Sequence, residues 1–190
     1  LGPMEIVICD DCSSDHTLEV ALSAARENAQ VKVLSTMANS GAAFARNMCV
    51  SNSSGAYLMV HDADDLSSPN RVSALVSALD RHQDVSFVGS AISLFDDRGA
   101  YGSWSAKHAA PTKWSFLPGL PFCHPACMFR REAFLEVGGY RVAPETRRGQ
   151  DYDMFMRLYA AGFRGLNLSD VLYSYRVDQD TLARRRFRYR

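Results

Sequence analysis

The sequence predicts an α/β protein whose central sheet is mostly parallel and flanked by helices. Three observations carry this. Short apolar runs rich in β-branched residues, at 5–9, 31–34 and 56–60, have the length and composition of strands buried in a parallel sheet. Segments with helical periodicity separate them. Acidic residues follow two of the runs directly, at Asp10-Asp11 and at Asp62 to Asp65. In open α/β sheets, ligands bind just beyond the carboxyl ends of the strands.

Taken in order, the first strand, Glu5-Ile6-Val7-Ile8-Cys9, leads into a loop of cap-forming residues, Asp10-Asp11-Cys12-Ser13-Ser14-Asp15. A helix is predicted from Thr17 to Asn28, with Leu18, Leu22 and Ala25 on one face. The second strand precedes an Asn39-Ser40-Gly41 turn and a helix from Ala42 to Ser53, on which Phe44 and Met48 lie one turn apart. The third strand, 56–60, ends in the acidic cluster. Ser68 then caps a helix with Pro69 at its first position. Val72, Leu75, Val76 and Leu79 mark that helix's apolar face.

Residues 85–95 read as extended chain closed by an Asp97-Arg98-Gly99 turn. Residues 101–121 carry Gly, Pro, Lys and Trp without period and predict loops or a flexible lid. Four elements complete the chain: a strand at 122–129, a short helix at 131–137 stopped by Gly138-Gly139, a helix at 151–161 ended by Gly162, and a last pair of strands within 163–177. With no internal repeat, one domain is the simplest account.

Composition narrows the function. Lys+Arg and Asp+Glu both number 21, so the formal net charge is +0 and no global field recruits nucleic acid. Any charge-based function is therefore local. No apolar run approaches the roughly 18 residues that span a bilayer. The basic end, Arg184-Arg185-Arg186-Phe187-Arg188-Tyr189-Arg190, is either a solvated tail or a peripheral contact with anionic membrane lipid. The five cysteines, Cys9, Cys12, Cys49, Cys123 and Cys127, are odd in number, which argues against a disulfide framework and fits a reducing, cytoplasmic setting. A four-thiolate zinc site from Cys9, Cys12, Cys123 and Cys127 is the alternative, weakened by the place of Cys9 within a strand.

Carboxylates gathered at a strand end repel one another unless a cation is present. Asp62 and Asp64 supply hard oxygen ligands of the kind that suit Mn²⁺ or Mg²⁺, with phosphate oxygens filling the remaining positions. The Asp-x-Asp spacing alone discriminates weakly, since it recurs at Asp151-x-Asp153 and Asp178-x-Asp180. Position at the end of an apolar strand is what favours Asp62 and Asp64. Asp151 opens a helix, where it either complements the helix dipole or acts as a general base. Asp153 on the same turn is able to share that role. His124 reads as a packed side chain and His61 as a wall of the acidic site. Trp104 and Trp114 are either core or faces for stacking on a sugar ring.

Four segments resemble the family-2 glycosyltransferases of GT-A fold. The stretch from Glu5 to Thr17 resembles the family's strand followed by Asp-Asp-Gly-Ser-x-Asp-x-Thr. Asn39-Ser40-Gly41 through Ala45-Arg46-Asn47 resembles its Asn-x-Gly…Ala-Arg-Asn helix. Gly55-Ala56-Tyr57 through Asp62-Ala63-Asp64-Asp65, with Pro69-x-Arg71, resembles its metal-binding segment. Phe129-Arg130-Arg131, Gly138-Gly139-Tyr140 and Gln150-Asp151-Tyr152-Asp153 through Arg157-Leu158 resemble its acceptor half.

The resemblance implies an inverting, metal-dependent transfer of sugar from a nucleotide-sugar donor, a UDP-sugar, to a glycan or glycolipid acceptor. That is the chemistry of polysaccharide and cell-envelope biosynthesis, carried out in the cytoplasm or at the inner face of the membrane. Asp11 and Arg46 would hold the nucleotide, Asp62 would approach the ribose and the metal, and Asp64 would ligate Mn²⁺ or Mg²⁺. Asp151 would be the catalytic base. Residues 1–100 would form the nucleotide-sugar and metal half and 101–190 the acceptor half. There are departures. Gln150 stands where the family has Glu, Cys12 where it has Gly, and the family's opening Pro-x-Tyr-Asn-like strand has no counterpart ahead of Glu5. The resemblance therefore implies a donor pocket that needs residues beyond these. The rival readings are a non-catalytic nucleotide-sugar or glycan-binding module and a nucleotidyltransferase. The latter is disfavoured by the lack of an early Gly-rich phosphate loop.

Overall fold

The structure, a computed structural model, describes residues 3–177. The basic end at 184–190 and the pair Asp178 and Asp180 lie outside the described residues. In chain order the elements are β1 (Ile6–Asp10), α1 (Thr17–Glu27), β2 (Val31–Ser35), α2 (Ala42–Ser51), β3 (Tyr57–Met59), β4 (Leu66–Ser67), α3 (Arg71–Arg81), β5 (Phe87–Asp96), β6 (Gly99–Trp104), β7 (Met128–Arg130), α4 (Arg131–Glu136), α5 (Gln150–Ala160) and β8 (Gly165–Arg176). Short 3-10 helices lie at Lys113–Phe116, His124–Ala126 and Pro144–Thr146. Two compact units form, interleaved along the chain rather than meeting near residue 100. One takes the chain up to Leu58 and Arg131–Ala161, the other Met59–Arg130 and the segment from Gly162 onward.

In the first unit β1 and β2 pair in parallel, from Ile6 opposite Val31 to Asp10 opposite Ser35. Both helices that follow these strands pack against them, as a parallel α/β unit requires. Their buried faces differ from those expected. On α1 the buried residue is Ala21, and Leu22 is 43% exposed. On α2 Ala43 and Ala45 are buried while Phe44 is 37% exposed. The buried positions of both helices are thus small alanines, with larger apolar residues beside them exposed. β1 is only partly buried, in contrast to the strand enclosed on both faces that its composition predicts.

The later segment of this unit is joined to the earlier one by polar side chains. Arg131 Nε donates to the Gly55 carbonyl at 2.6 Å, and its other nitrogens donate to Ser53 Oγ and the Val50 carbonyl. Glu5 Oε1 accepts the N–H groups of Ser54 and Gly55. α4 stops where predicted, at Gly138 and Gly139, which have φ of 79° and 66°.

In the second unit β5 is central. It runs parallel to β8 and antiparallel to β6 and β7, and β8 pairs antiparallel with β4. The sheet is thus mixed, not mostly parallel. Hairpin closure at Asp97-Arg98 before Gly99 makes β6 from residues expected to be loop. Pro125, which has no N–H to give to a ladder, confines the strand expected at 122–129 to Met128–Arg130. The expected final pair of strands is one long strand, β8, whose register against β5 shifts around Ala91. Pro69 lies outside α3, which starts at Arg71 after Asn70; Ser68 Oγ bonds Asn70 Oδ1 at 2.5 Å. Leu75 and Leu79 of α3 are fully buried, and in the same unit Phe87 meets Phe122 at 4.8 Å and Phe129 at 5.4 Å. Burying each such side chain contributes about 1.5–3 kcal/mol.

Candidate functional site

In the first unit the loop after β1 carries Asp10 and Asp11. Asp10 is buried, and its Oδ2 accepts the Ser13 N–H at 3.2 Å. Asp11 has both carboxylate oxygens engaged. Oδ1 accepts from Thr36 Oγ1 at 3.0 Å and from the Ser40 N–H at 2.9 Å, while Oδ2 accepts the Gly41 N–H at 2.7 Å. Gly41 is the N-cap of α2, so Asp11 ties the β1 loop to that helix's positive end. Burial pushes the Asp11 carboxyl up, but the N–H groups of Ser40 and Gly41 and the Thr36 hydroxyl outweigh it and hold the group below its ordinary value. Oδ1 thus accepts two bonds and Oδ2 one, so the remaining acceptor capacity lies on Oδ2.

Arg46, on α2, places its guanidinium 5.8 Å from the centre of the Tyr140 ring. Asp151 is the second residue of α5, and its Oδ1 accepts the N–H of Tyr152 at 2.9 Å. Asp153 does not share its situation. Its carboxylate receives Arg141 and Arg157, each at 2.8 Å. Arg157 also donates to the carbonyls of Val137 and Gly139. Asp153 is therefore an anchor between α5 and the turn after α4, and the sharing of a general-base role expected for it is not what its contacts support.

The second unit carries the acidic turn. Asp62 is partly buried, and its N–H donates to the Tyr173 hydroxyl at 3.1 Å. The Asp64 side chain is exposed, and its backbone carbonyl accepts Arg176 Nε at 3.3 Å. Asp65 is 6% exposed, and its Oδ1 accepts the Arg176 N–H at 2.6 Å. Burial raises the Asp65 carboxyl; the Arg176 N–H and Tyr173 lower it, and the charges of Asp64 and Asp62 push it up again. Three carboxylates in four residues thus repel one another. Asp65 is buried as a structural member, Asp62 is half-buried and Asp64 is exposed.

Among the described residues no group of three or more His, Cys, Asp or Glu side chains is arranged to hold a metal ion. All five cysteines are free thiols, and the four-thiolate zinc alternative has no support. Two carboxylates fit a different kind of site. Mg²⁺ and similar hard cations take one or two carboxylates and complete their shell with water and substrate phosphate oxygens. The donor set Asp62 and Asp64 fits such an ion.

His61 is exposed, edge-on to the Tyr173 ring at 5.3 Å, and its Nδ1 lies 2.7 Å from the Asp62 carbonyl. His124 is buried, as a packed histidine. Trp104 lies on β6, whereas Trp114 is 66% exposed with Lys113 Nζ at 5.2 Å from its ring. Sequence reasoning missed Tyr173 and Arg176. The alternating tail of β8 offers no signal for them, because its register against β5 is irregular.

An α/β fold with an aspartate loop after β1 and an acidic turn after β3 defines a class that comparison makes specific. Residues 1–138 match the Glycosyl transferase family 2 profile, and the chain belongs to that family. It is 37% identical over 186 residues to the putative glycosyltransferase EpsE of Bacillus subtilis (strain 168), covering 97% of this chain and 66% of that protein. It is 24% identical over 189 residues to the UDP-Gal:alpha-D-GlcNAc-diphosphoundecaprenol beta-1,3-galactosyltransferase of Escherichia coli, covering 97% of this chain and 67% of that protein.

Among solved structures, TarS 1-349 of S. aureus in complex with UDP superposes with a TM-score of 0.73 at 22% identity, covering 95% of this chain and 53% of the other. The mannosyltransferase PcManGT from Pyrobaculum calidifontis, in complex with GDP-Man and Mn²⁺, gives 0.71 at 17% identity, covering 97% and 51%. The fold is GT-A-like. The chain spans about half the length of these solved chains and 66% of EpsE. Among the described residues no helix is long and apolar enough to cross a membrane.

Proposed function

We propose that this chain carries the transfer machinery of a metal-dependent, inverting glycosyltransferase that moves sugar from a UDP-sugar to a glycan or glycolipid hydroxyl. The observation that carries the reading is the acidic turn. A family-2 chain carries half-buried Asp62 and exposed Asp64 just after β3, while Asp65 is buried and bonded. Asp62 and Asp64 would hold Mn²⁺ or Mg²⁺, which when bound neutralises the diphosphate that leaves with the nucleotide. Asp11 and Arg46 would bind and orient the nucleotide. Asp151 would take the proton of the acceptor hydroxyl as its oxygen attacks the anomeric carbon from the face opposite the leaving group, inverting it. The acceptor named for the Escherichia coli relative, a sugar on diphosphoundecaprenol, supports a glycolipid or growing glycan. We place the reaction in the cytoplasm, at the inner face of the membrane where lipid-linked acceptors are reached. The odd number of cysteines, five, supports a reducing compartment.

Substituting Asp64→Ala in the purified chain should abolish Mn²⁺-stimulated turnover of UDP-sugars while leaving the unfolding midpoint nearly unchanged. Full turnover by that variant overturns the metal assignment. A second reading, a module that binds donor without turnover, is favoured by Gln150, which removes one carboxylate beside Asp151. UDP titration alongside a donor-hydrolysis assay separates the two: binding with no turnover supports the module.

A further inference from the structure

The acidic turn is held from beneath by side chains of its own unit. Arg71, the first residue of α3, is 0% exposed. Its guanidinium donates to the Val60 carbonyl at 2.8 Å, just before the turn, and to Ser67 Oγ at 3.0 Å, just after it. A third bond reaches the Pro125 carbonyl at 2.6 Å. The same guanidinium lies 4.4 Å from the centre of the Tyr173 ring. Tyr173 is 1% exposed and packs in a cluster with Ile92 and Ala126. Its hydroxyl accepts the Asp62 N–H, and its ring meets the His61 edge.

Burying a guanidinium and a phenol hydroxyl is unfavourable unless both are bonded, and a site that needed packing alone is better served by Leu and Phe. Here the Tyr173 hydroxyl meets the turn, and two of the Arg71 bonds reach the residues just before and just after it. The register shift in β8 is what sets Tyr173 opposite Ile92 and beneath Asp62.

We propose that Tyr173 is the positioning residue of the acidic turn: its hydroxyl, with the ring held by Arg71, fixes the Asp62 amide and thereby aims the Asp62 and Asp64 carboxylates at a divalent cation. The proposal rests on the metal reading above. Tyr173 touches neither donor nor acceptor in this account. It acts through the backbone of Asp62, as outer partners act on metal-ligating groups.

Tyr173→Phe keeps the ring against Arg71 and His61 and deletes the hydroxyl alone. Mn²⁺ uptake by the full chain in the presence of UDP, followed by the electron-spin signal of free Mn²⁺, should weaken by about 10-fold or more. Amide hydrogen exchange across 61–66, measured without metal, should accelerate while exchange in β5 stays as in the wild type.

Unchanged Mn²⁺ affinity with unchanged exchange in Tyr173→Phe overturns the proposal. So does acceleration spread equally over the turn and β5, which marks general loosening. A wild-type chain that takes up no Mn²⁺ overturns the metal reading, and the exchange measurement then decides alone whether Tyr173 holds the turn.

Discussion

Asn47 and Tyr140 hold one another reciprocally: Asn47 Nδ2 donates to the Tyr140 carbonyl at 2.7 Å, and the Tyr140 N–H donates to Asn47 Oδ1 at 3.0 Å. One side chain on α2 thereby satisfies both backbone groups of a residue 93 positions away. Beside them Gly139 has a φ of 66°, and a Cβ there would lie 2.8 Å from Asn47 Oδ1. The close approach therefore requires glycine on one side and a flat amide on the other. Asn47→Ala removes two hydrogen bonds and leaves the N–H and C=O of buried Tyr140 without them. It should lower unfolding free energy by about 2 kcal/mol in a urea titration. A loss under a few tenths of a kcal/mol would show that water replaces the amide.

The contrast between Asp151 and Asp153 separates chemistry from architecture. Asp151→Asn should bind donor as the wild type does and fail to transfer sugar, read as unchanged UDP affinity with lost product. Asp153→Ala should lose about 2 kcal/mol of stability, because Arg141 and Arg157 lose their shared carboxylate, yet retain transfer per folded molecule. Transfer that survives in Asp151→Asn removes that residue as the base.

Acid sensitivity follows from Asp11. Its folded value lies below the ordinary 3.8, so the unfolded chain binds the proton more readily. The stability it contributes is full above the unfolded value and is lost as pH falls through the folded one. Asp11→Asn should flatten the acid limb of the stability profile below about pH 4, measured by urea unfolding at stepped pH. An acid limb of unchanged slope would assign the sensitivity to other carboxylates, Glu5 among them, whose value the Ser54 and Gly55 N–H groups also lower.

Cys12 has a φ of 59°, a left-handed conformation that costs an L-residue about 1 kcal/mol or more. The turn after β1 therefore keeps the backbone expected of glycine although the residue is cysteine. Cys12→Gly should raise the unfolding free energy by about 0.5–1 kcal/mol, the relief of strain being partly offset by the freer unfolded chain. A lowered urea midpoint would mean that the contact of Cys12 Sγ with the Met37 carbonyl matters more than the backbone.

Much of this protein was legible locally. The strands at β1 and β2, the helices that follow them, the Gly138-Gly139 stop and the acids after β1 and β3 all depend on residues a few positions apart. Periodicity and capping report such short-range relations directly. The family resemblance was legible too, because it rests on order and spacing.

What the tertiary structure decided is long-range. On α1 and α2 the buried residues are Ala21, Ala43 and Ala45 rather than Leu22 or Phe44, which packing against the strands decided. That β5 pairs antiparallel with β6 and β7 but parallel with β8 is a matter of chain connection, not of composition. Asp153 and Asp151 have the same chemistry and lie on one helical turn; the arginines that reach Asp153, Arg157 from the same helix and Arg141 from outside it, distinguish them. Tyr173, separated from Asp62 by 111 residues, comes to lie under the acidic turn through an irregular register in β8. The sequence by itself determined where acids could gather. The folded packing determined which of them are buried and bonded, because the partners that hold them, Tyr173 and Arg176, come from distant parts of the chain.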